Sequence, residues 1–257
     1  MFQHVLRNQF ALGCLVASLP LITPYAQADD DEELEFDEAH LFFELNDTDG
    51  DLGIHGKIDG DEWKSIRIEN PNERVIMNVS ARGKLRRQGI TELFFESAEP
   101  TFDELSPDVF FDRFPAGTYE VEGITTDGEE IESETELTHL IPAAPEALLN
   151  GMEPDEECSL EFDRDDDVVI SWPSVTSSHA TLGVPGVPTV VNYEVVVEID
   201  DTPWKAGAIL PPELTSFEVP DEILLLGHEI KFEVLVREES YNQSAMESCF
   251  TVFGEDD

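Results

Sequence analysis

The sequence predicts an all-β protein in which two tandem β-sandwich domains follow a cleaved signal peptide. First, its 257 residues exceed one ordinary sandwich and suit two domains of about 100 residues each. Second, short segments in which apolar and polar residues alternate recur along the chain, separated by turn residues, as in antiparallel sheets. Third, a proline-rich junction at 142–145 divides these segments into two sets.

Residues 1–28 have the anatomy of a secretory signal. Arg7 is their only charged residue, and an apolar run over about 10–22 leads to Ala26-Gln27-Ala28, an A-x-A cleavage site. The alternative is a lipoprotein anchored at Cys14, but cleavage there would leave almost no apolar run upstream. The run is also too short to span a membrane. We therefore expect an exported protein, periplasmic or extracellular, without membrane insertion.

The charge is strongly acidic, with 58 Asp and Glu against 14 Lys and Arg. Loss of Arg7 with the signal changes the net charge from −44 to −45. Such a surface repels nucleic acid and anionic membranes, favours cations, and is also typical of proteins from saline habitats. Like charges are densest at 29–38, which we expect to be a disordered acidic leader, and 254–257 form a short acidic tail.

Two cysteines, Cys158 and Cys249, remain after the signal is removed. Because export places them in an oxidising compartment, we predict a disulfide between them that stabilises the second domain by about 4 kcal/mol. The alternative is a pair of buried free thiols.

The first domain is predicted at 39–141, as a sandwich of immunoglobulin-like or jelly-roll-like type with one short helix. Ser106-Pro107-Asp108 has the pattern of a helix start, and Asp127-Gly128 that of a hairpin turn. The predicted strands are His40–Leu45, Leu52–Ile58, Trp63–Glu69, Arg74–Ser80, Thr91–Ser97, Thr118–Thr126 and Glu130–His139.

The second domain, predicted at 142–253, resembles a fibronectin type III domain of an exported bacterial protein. The resemblance rests on a proline near the start, on Trp172 at the end of the second strand, and on the Tyr-x-Val-x-Val pattern of Tyr193–Val197. Leu226 also precedes the aromatic Phe232 of the sixth strand by six residues. The resemblance and the spacing of the strands both indicate an antiparallel sandwich.

Three features depart from that family. Phe232 stands where the family usually has a tyrosine, so it cannot donate the hydroxyl hydrogen bond of that corner. The predicted Cys158–Cys249 bridge is not part of the common pattern. The loop 174–189 between the second and third strands is unusually long; it suits either ligand contacts or a stiff passive connection.

One acidic run has the spacing of a metal site. Carboxylates at alternating positions can converge on one calcium ion, which takes six to eight oxygen ligands. An EF-hand is excluded because Leu52 and Ile58 stand where that loop needs Gly and Glu. A β-loop calcium site and an ordinary Asx-rich turn both remain open. The candidate ligands are Asp47, Asp49, Asp51, Asp59 and Asp61.

A second local cluster is basic. Four of the mature chain's basic residues lie within six positions, as either internal salt-bridge partners or a docking patch for an acidic partner. They are Arg82, Lys84, Arg86 and Arg87.

We find no known catalytic motif in the sequence, and the histidines at 40, 55, 139, 179 and 228 lack ligand-like spacing. The leading hypothesis is therefore a non-catalytic secreted or periplasmic protein that binds a protein or polysaccharide and requires no cofactor. The alternative hypothesis is a calcium-binding version of this protein. The third hypothesis is a carboxylate-dependent hydrolase.

Overall fold

A computed structural model describes residues 34–155, 157–226 and 228–254. The predicted signal peptide, Cys14, the first five residues of the acidic leader and the last three of the acidic tail lie outside the described residues. Strands dominate both halves, which confirms the all-β fold class.

Residues 34–141, the first half, contain six strands and two short helices. They are β1 Glu38–Asn46, β2 Asp51–Asn70, β3 Arg74–Ser80, α1 Leu85–Gln88, β4 Ile90–Glu96, α2 Pro107–Arg113, β5 Gly117–Thr125 and β6 Glu130–Leu137. Helix α2 begins after Ser106, as the sequence predicts, whereas α1 is an additional turn of helix.

The second half contains eight strands and one short helix. They are β7 Leu148–Leu149, β8 Glu161–Asp163, β9 Val169–Ser171, β10 Val190–Ile199, β11 Lys205–Leu210, β12 Ser216–Glu218, α3 Asp221–Leu224, β13 Glu229–Glu238 and β14 Gln243–Phe253.

The second half is a sandwich of the expected type. Four strands in the order β11-β10-β13-β14 enclose a core with the three-stranded sheet β12-β9-β7. Trp172 meets Tyr193 edge-on inside it, with ring centroids 5.3 Å apart. One detail differs: Leu226 is 62% exposed, and the buried leucine before Phe232 is Leu224. Helix α3 turns Leu224 inward, which a fixed six-residue spacing does not capture.

In the first half, the predicted strands Leu52–Ile58 and Trp63–Glu69 are parts of one continuous strand, β2. Strand β2 runs for 20 residues; its first part pairs with β1 and β4, and its second part with β3 and β5. Register shifts between Asp59 and Ser65 bend it, so that a single strand serves both layers around the core. The hydroxyl of Tyr119 donates to the carbonyl of Pro115 at 3.0 Å, a bond of the kind found in the tyrosine corners of sandwiches.

The two halves share one eleven-stranded sheet. The end of β1 pairs in parallel with the start of β14 through Glu44–Asn46 and Gln243–Ala245, and we call this junction the seam. The turn after β1 extends it, because the Thr48 hydroxyl accepts from Glu247 N–H at 2.9 Å. The division into domains at 142 stays a prediction.

The loop 174–189 packs against the first half. Leu182 enters the core of that half, and the N–H of Val184 donates to the carbonyl of His139 at 2.8 Å. The proline junction is fixed as well, since the Ser244 hydroxyl donates to the Pro142 carbonyl at 2.7 Å. In the structure the long loop thus connects the two halves by packing and hydrogen bonds.

Disorder is the wrong prediction for the end of the acidic leader. Phe36 is buried in the first core, and its N–H donates to the Ser133 hydroxyl. Leu34 forms a bridge with Ile131 on β6. Burial of these two apolar side chains outweighs the repulsion between the neighbouring acids.

The predicted disulfide is present. Cys158 and Cys249 are bonded, with Cα atoms 4.8 Å apart, and they close a segment of 91 residues.

Candidate functional site

A row of aromatic rings crosses the outer face of the shared sheet next to the seam. We call it the ring row; it consists of His40, Tyr241, Phe42, His55 and Phe94. His40 and Phe42 alternate with the core residues of β1, and so they point away from the core. Tyr241, in the turn before β14, stacks on His40 with ring centroids 3.8 Å apart. The two halves thus build one surface.

Two rings of the row are available to a partner. Phe94 is 57% exposed and Tyr241 is 40% exposed. Tyr241 also holds a backbone φ of +71°, a region that is costly for a bulky residue and that clusters at functional sites. Its N–H donates to the carbonyl of Glu238 at 2.9 Å, which keeps this turn closed.

His55, which lies between Phe42 and Phe94 in the row, also lies between two carboxylates. Its Nε2 is 2.9 Å from Glu99 Oε1 and its Nδ1 is 3.5 Å from Glu44 Oε2. One nitrogen of His55 and one oxygen of each glutamate all fall within 4.8 Å of one another. We call these three residues the His55 cluster; nitrogen and carboxylate oxygen are both metal-ligand atoms.

Residues of the second half support this cluster from behind. The side-chain amide of Gln243 donates to Glu44 Oε2, and its carbonyl accepts from Arg237 Nε at 2.7 Å. Burial raises the pKa of the Glu44 carboxyl, an effect that the charge of His55 opposes. A chain of polar contacts therefore runs from β13 across the seam to β2.

Beside the cluster, an acidic pocket of about 480 Å³ lies where the turn after β1 meets β13 and β14. Glu233 and Glu247 sit opposite each other on these strands, and Asp49 and Glu198 also line the pocket. Burial, followed by repulsion from Glu44 and Glu247, raises the pKa of Glu233 to about 7. Burial also raises the pKa of Glu247, and repulsion from Asp49 adds to it.

The five aspartates predicted to share a calcium ion are not brought together. Asp47 and Asp49 lie in the turn after β1, and Asp51 is the first residue of β2. Asp59 lies about 26 Å further along the same strand, at the opposite end of β1, and Asp61 lies beyond it. The turn has its own contacts: the Asn46 side chain accepts from two backbone N–H groups, and Asp47 pairs with His179 at 3.0 Å.

The basic cluster lies on and just before α1, on the surface. All four side chains are exposed, and among the described residues none of them forms an ion pair with an Asp or Glu. Other basic residues do, as Lys231 does with Asp200 at 2.6 Å. Arg82, Lys84, Arg86 and Arg87 remain a possible partner patch by prediction.

Sequence reasoning missed the His55 cluster and the ring row. Their members come from β1, β2, the β4 region and the turn before β14, so no spacing along the chain marks them. One signal was available: His55 stands at an outward position between apolar neighbours in β2.

Among the described residues, no helix has the length and apolar character needed to cross a membrane.

Comparisons with known proteins found no matching family model and no matching curated protein. Among solved structures, the chain is similar to a bacterial ice-binding adhesin, at 12% identity and a TM-score of 0.27, over 88% of this chain and 67% of that one. It is also similar to the FN1–FN3 domains of chicken CNTN1, at 10% identity and a TM-score of 0.31, over 86% of this chain and 69% of that one. A stretch of titin domains matches at 15% identity and a TM-score of 0.27, over 82% of this chain and 61% of that one. The fold assignment rests on the sheets described above.

Proposed function

We propose that the chain is a non-catalytic, exported binding protein that holds its ligand on the ring row. The observation that carries the proposal is the pair of exposed rings, Phe94 and Tyr241, on a rigid sheet face that spans the seam. Exposed aromatic side chains on such a face are characteristic of interaction sites. The signal-like residues 1–28 support export.

The charge favours a basic protein segment over a polysaccharide as the ligand. Glu92 and Glu96 flank Phe94 at alternate positions of β4, so all three point outward together. An arginine guanidinium can stack on the ring and pair with these carboxylates. The net charge of the chain also attracts cationic partners from a distance.

Peptide binding tests this proposal. A labelled oligo-arginine peptide is titrated with the purified protein, alongside an oligo-lysine peptide of equal length and a neutral polysaccharide. We expect the arginine peptide to bind more tightly, because lysine stacks less well on aromatic rings. The double variant F94A/Y241A should lose about ten-fold or more of this affinity.

The matched control is Trp204→Ala, which removes a ring that is 55% exposed outside the ring row. It should leave the arginine preference unchanged. Equal binding of both peptides would show attraction by surface charge alone, and an equal loss in W204A would show that the ring row is not the specific binding face. Binding of the polysaccharide that depends on Phe94 and Tyr241 would assign the face to a sugar ligand instead.

Calcium binding at the turn after β1 is the second candidate. Besides burial, repulsion from Asp49 and from Asp51 raises the pKa of Glu247 of β14, so carboxylates of two segments lie close together at this turn. A calcium ion would then draw on Asp49, Asp51 and Glu247, without Asp59 and Asp61. Thermal melts at equal ionic strength in calcium and in sodium test this, and superimposable melts would exclude it.

The third candidate function is that of a carboxylate-dependent hydrolase. Glu233 and Glu247 face each other across neighbouring strands in the pocket, and the raised pKa of Glu233 suits an acid that donates a proton. Assays with glycoside substrates test it: turnover that Glu233→Gln abolishes would replace the binding proposal.

A further inference from the structure

The His55 cluster has the ligand atoms and the excess of acidic groups of a metal site, and Gly53 leaves room for one of its carboxylates. Glu44 of β1, His55 of β2 and Glu99 after β4 bring one nitrogen and two oxygens within 4.8 Å of one another. We propose that these three side chains bind a divalent first-row transition metal ion. This proposal goes beyond ligand binding on the ring row and does not depend on it.

The first argument is burial and charge. His55 is only 3% exposed, and Phe42 and Phe94 cover it, with ring centroids 5.4 and 6.0 Å away. The cluster combines two carboxyl groups with one imidazole, so acidic groups are in excess. Among the described residues, no Lys or Arg forms an ion pair with Glu44 or Glu99. A divalent cation would neutralise this partly buried charge.

A second, independent argument is steric and concerns Gly53. A Cβ atom at this position would lie 2.3 Å from Glu99 Oε1 and 2.8 Å from Glu99 Cγ. Any larger residue would therefore push the Glu99 side chain away from His55. Gly53 lies within β2 and makes no tight turn there, so its role is to leave room for this carboxylate.

The third argument is orientation. Metal-binding side chains are commonly held by outer hydrogen bonds. Glu44 has such support from Gln243, which Arg237 holds in turn through a bond of 2.7 Å. The side chains of Glu44 and Glu99 are 25% and 27% exposed, so an ion can enter from solvent and keep a water ligand.

The donor set selects the kind of ion. Calcium and magnesium prefer oxygen ligands alone, whereas an imidazole with carboxylates suits zinc, cobalt or nickel. His55 Nε2 is the favoured ligand nitrogen, because Glu99 Oε1 lies 2.9 Å from it. Glu44 lies on the Nδ1 side with its Oε2 held by Gln243, so its other carboxylate oxygen, Oε1, would be the one that completes the site.

Calorimetric titration of the purified protein with zinc chloride tests the site, in salt and excess calcium that occupy ordinary surface carboxylates. We expect one high-affinity zinc ion per chain. Glu99→Gln, which keeps the side-chain shape, should weaken it by about a hundred-fold, and Gly53→Ala by about ten-fold. The matched control is Glu92→Gln, on the outer face of β4, which should change the affinity less than about two-fold.

Cobalt gives a second readout, since a bound ion with nitrogen and oxygen ligands absorbs visible light. Glu92→Gln should keep this absorption and Glu99→Gln should lose it. Equal zinc affinity in the E99Q and E92Q variants, both folded by circular dichroism, would overturn the proposal. So would weak binding of many zinc ions without a distinct tight step.

Discussion

The side-chain oxygen of Asn242 accepts the backbone N–H of Phe43 at 2.8 Å, across 199 residues of sequence. The amide nitrogen of the same side chain donates to the carbonyls of Thr138 and Leu140 at 3.0 and 3.1 Å. Asn242 is fully buried. One side chain of the second half thus continues the hydrogen bonds of the seam and ties it to the chain that enters the proline junction.

Removing this side chain should loosen the seam. Asn242→Ala would leave the Phe43 N–H and two carbonyls buried without partners, so we expect a loss of about 2–4 kcal/mol in the free energy of unfolding. Urea denaturation measures it. The control is Asn72→Ala at an exposed position, where the change should stay within about 0.5 kcal/mol. Equal stability of the two variants would mean that the seam does not depend on Asn242.

The disulfide should stabilise the protein through the unfolded chain. Cys158 and Cys249 close a segment of 91 residues, so their replacement by alanine should cost about 4 kcal/mol. Denaturation of the double variant, compared with each single variant, measures this. A loss in the double variant below about 1 kcal/mol would contradict the expectation.

Leu182 should act as a core residue of the half to which it does not belong. Because it is buried in the first core, Leu182→Ala should lower stability by about 2–3 kcal/mol. Val187→Ala, in the same loop but 79% exposed, is the control and should change little. If both variants are equally stable, the loop is a passive connection.

Stability should fall as pH rises from about 4.5 to about 7. The folded-state pKa of Glu233, about 7, lies above the ordinary value of 4.5, so folding favours the protonated carboxyl. The contribution of the protonated Glu233 carboxyl to the free energy of unfolding is complete below pH 4.5 and is lost as pH rises through 7. Glu233→Gln should therefore be more stable at pH 8 by on the order of 2 kcal/mol, with a flatter pH profile. Glu120→Gln, exposed on β5, should follow the pH profile of the unaltered protein.

Side-chain alternation predicted most strands, because each sandwich buries one face of each sheet. Strand β13 is an example: Ile230, Phe232 and Val234 are all fully buried or nearly so. The seam left no such pattern, since its bonds join backbone groups of residues far apart in sequence. The aspartate hypothesis treated Asp47–Asp61 as a loop, whereas β2 begins at Asp51 and carries the later carboxylates away.

The candidate site escaped prediction for a related reason. His55, Glu44 and Glu99 come from three separate segments, and only the pairing of β1, β2 and β4 brings them to one place. A steric requirement such as that of Gly53 cannot be read without the neighbour that would collide with it.

The seam also has a mechanical consequence. Strands β1 and β14 run in the same direction and overlap by only three residue pairs, the end of one against the start of the other. A force that pulls β1 by its first residue and β14 by its last would therefore act along the strands and load these bonds together in shear, instead of opening them one after another. A protein stretched in this way should lose the seam at a single threshold force.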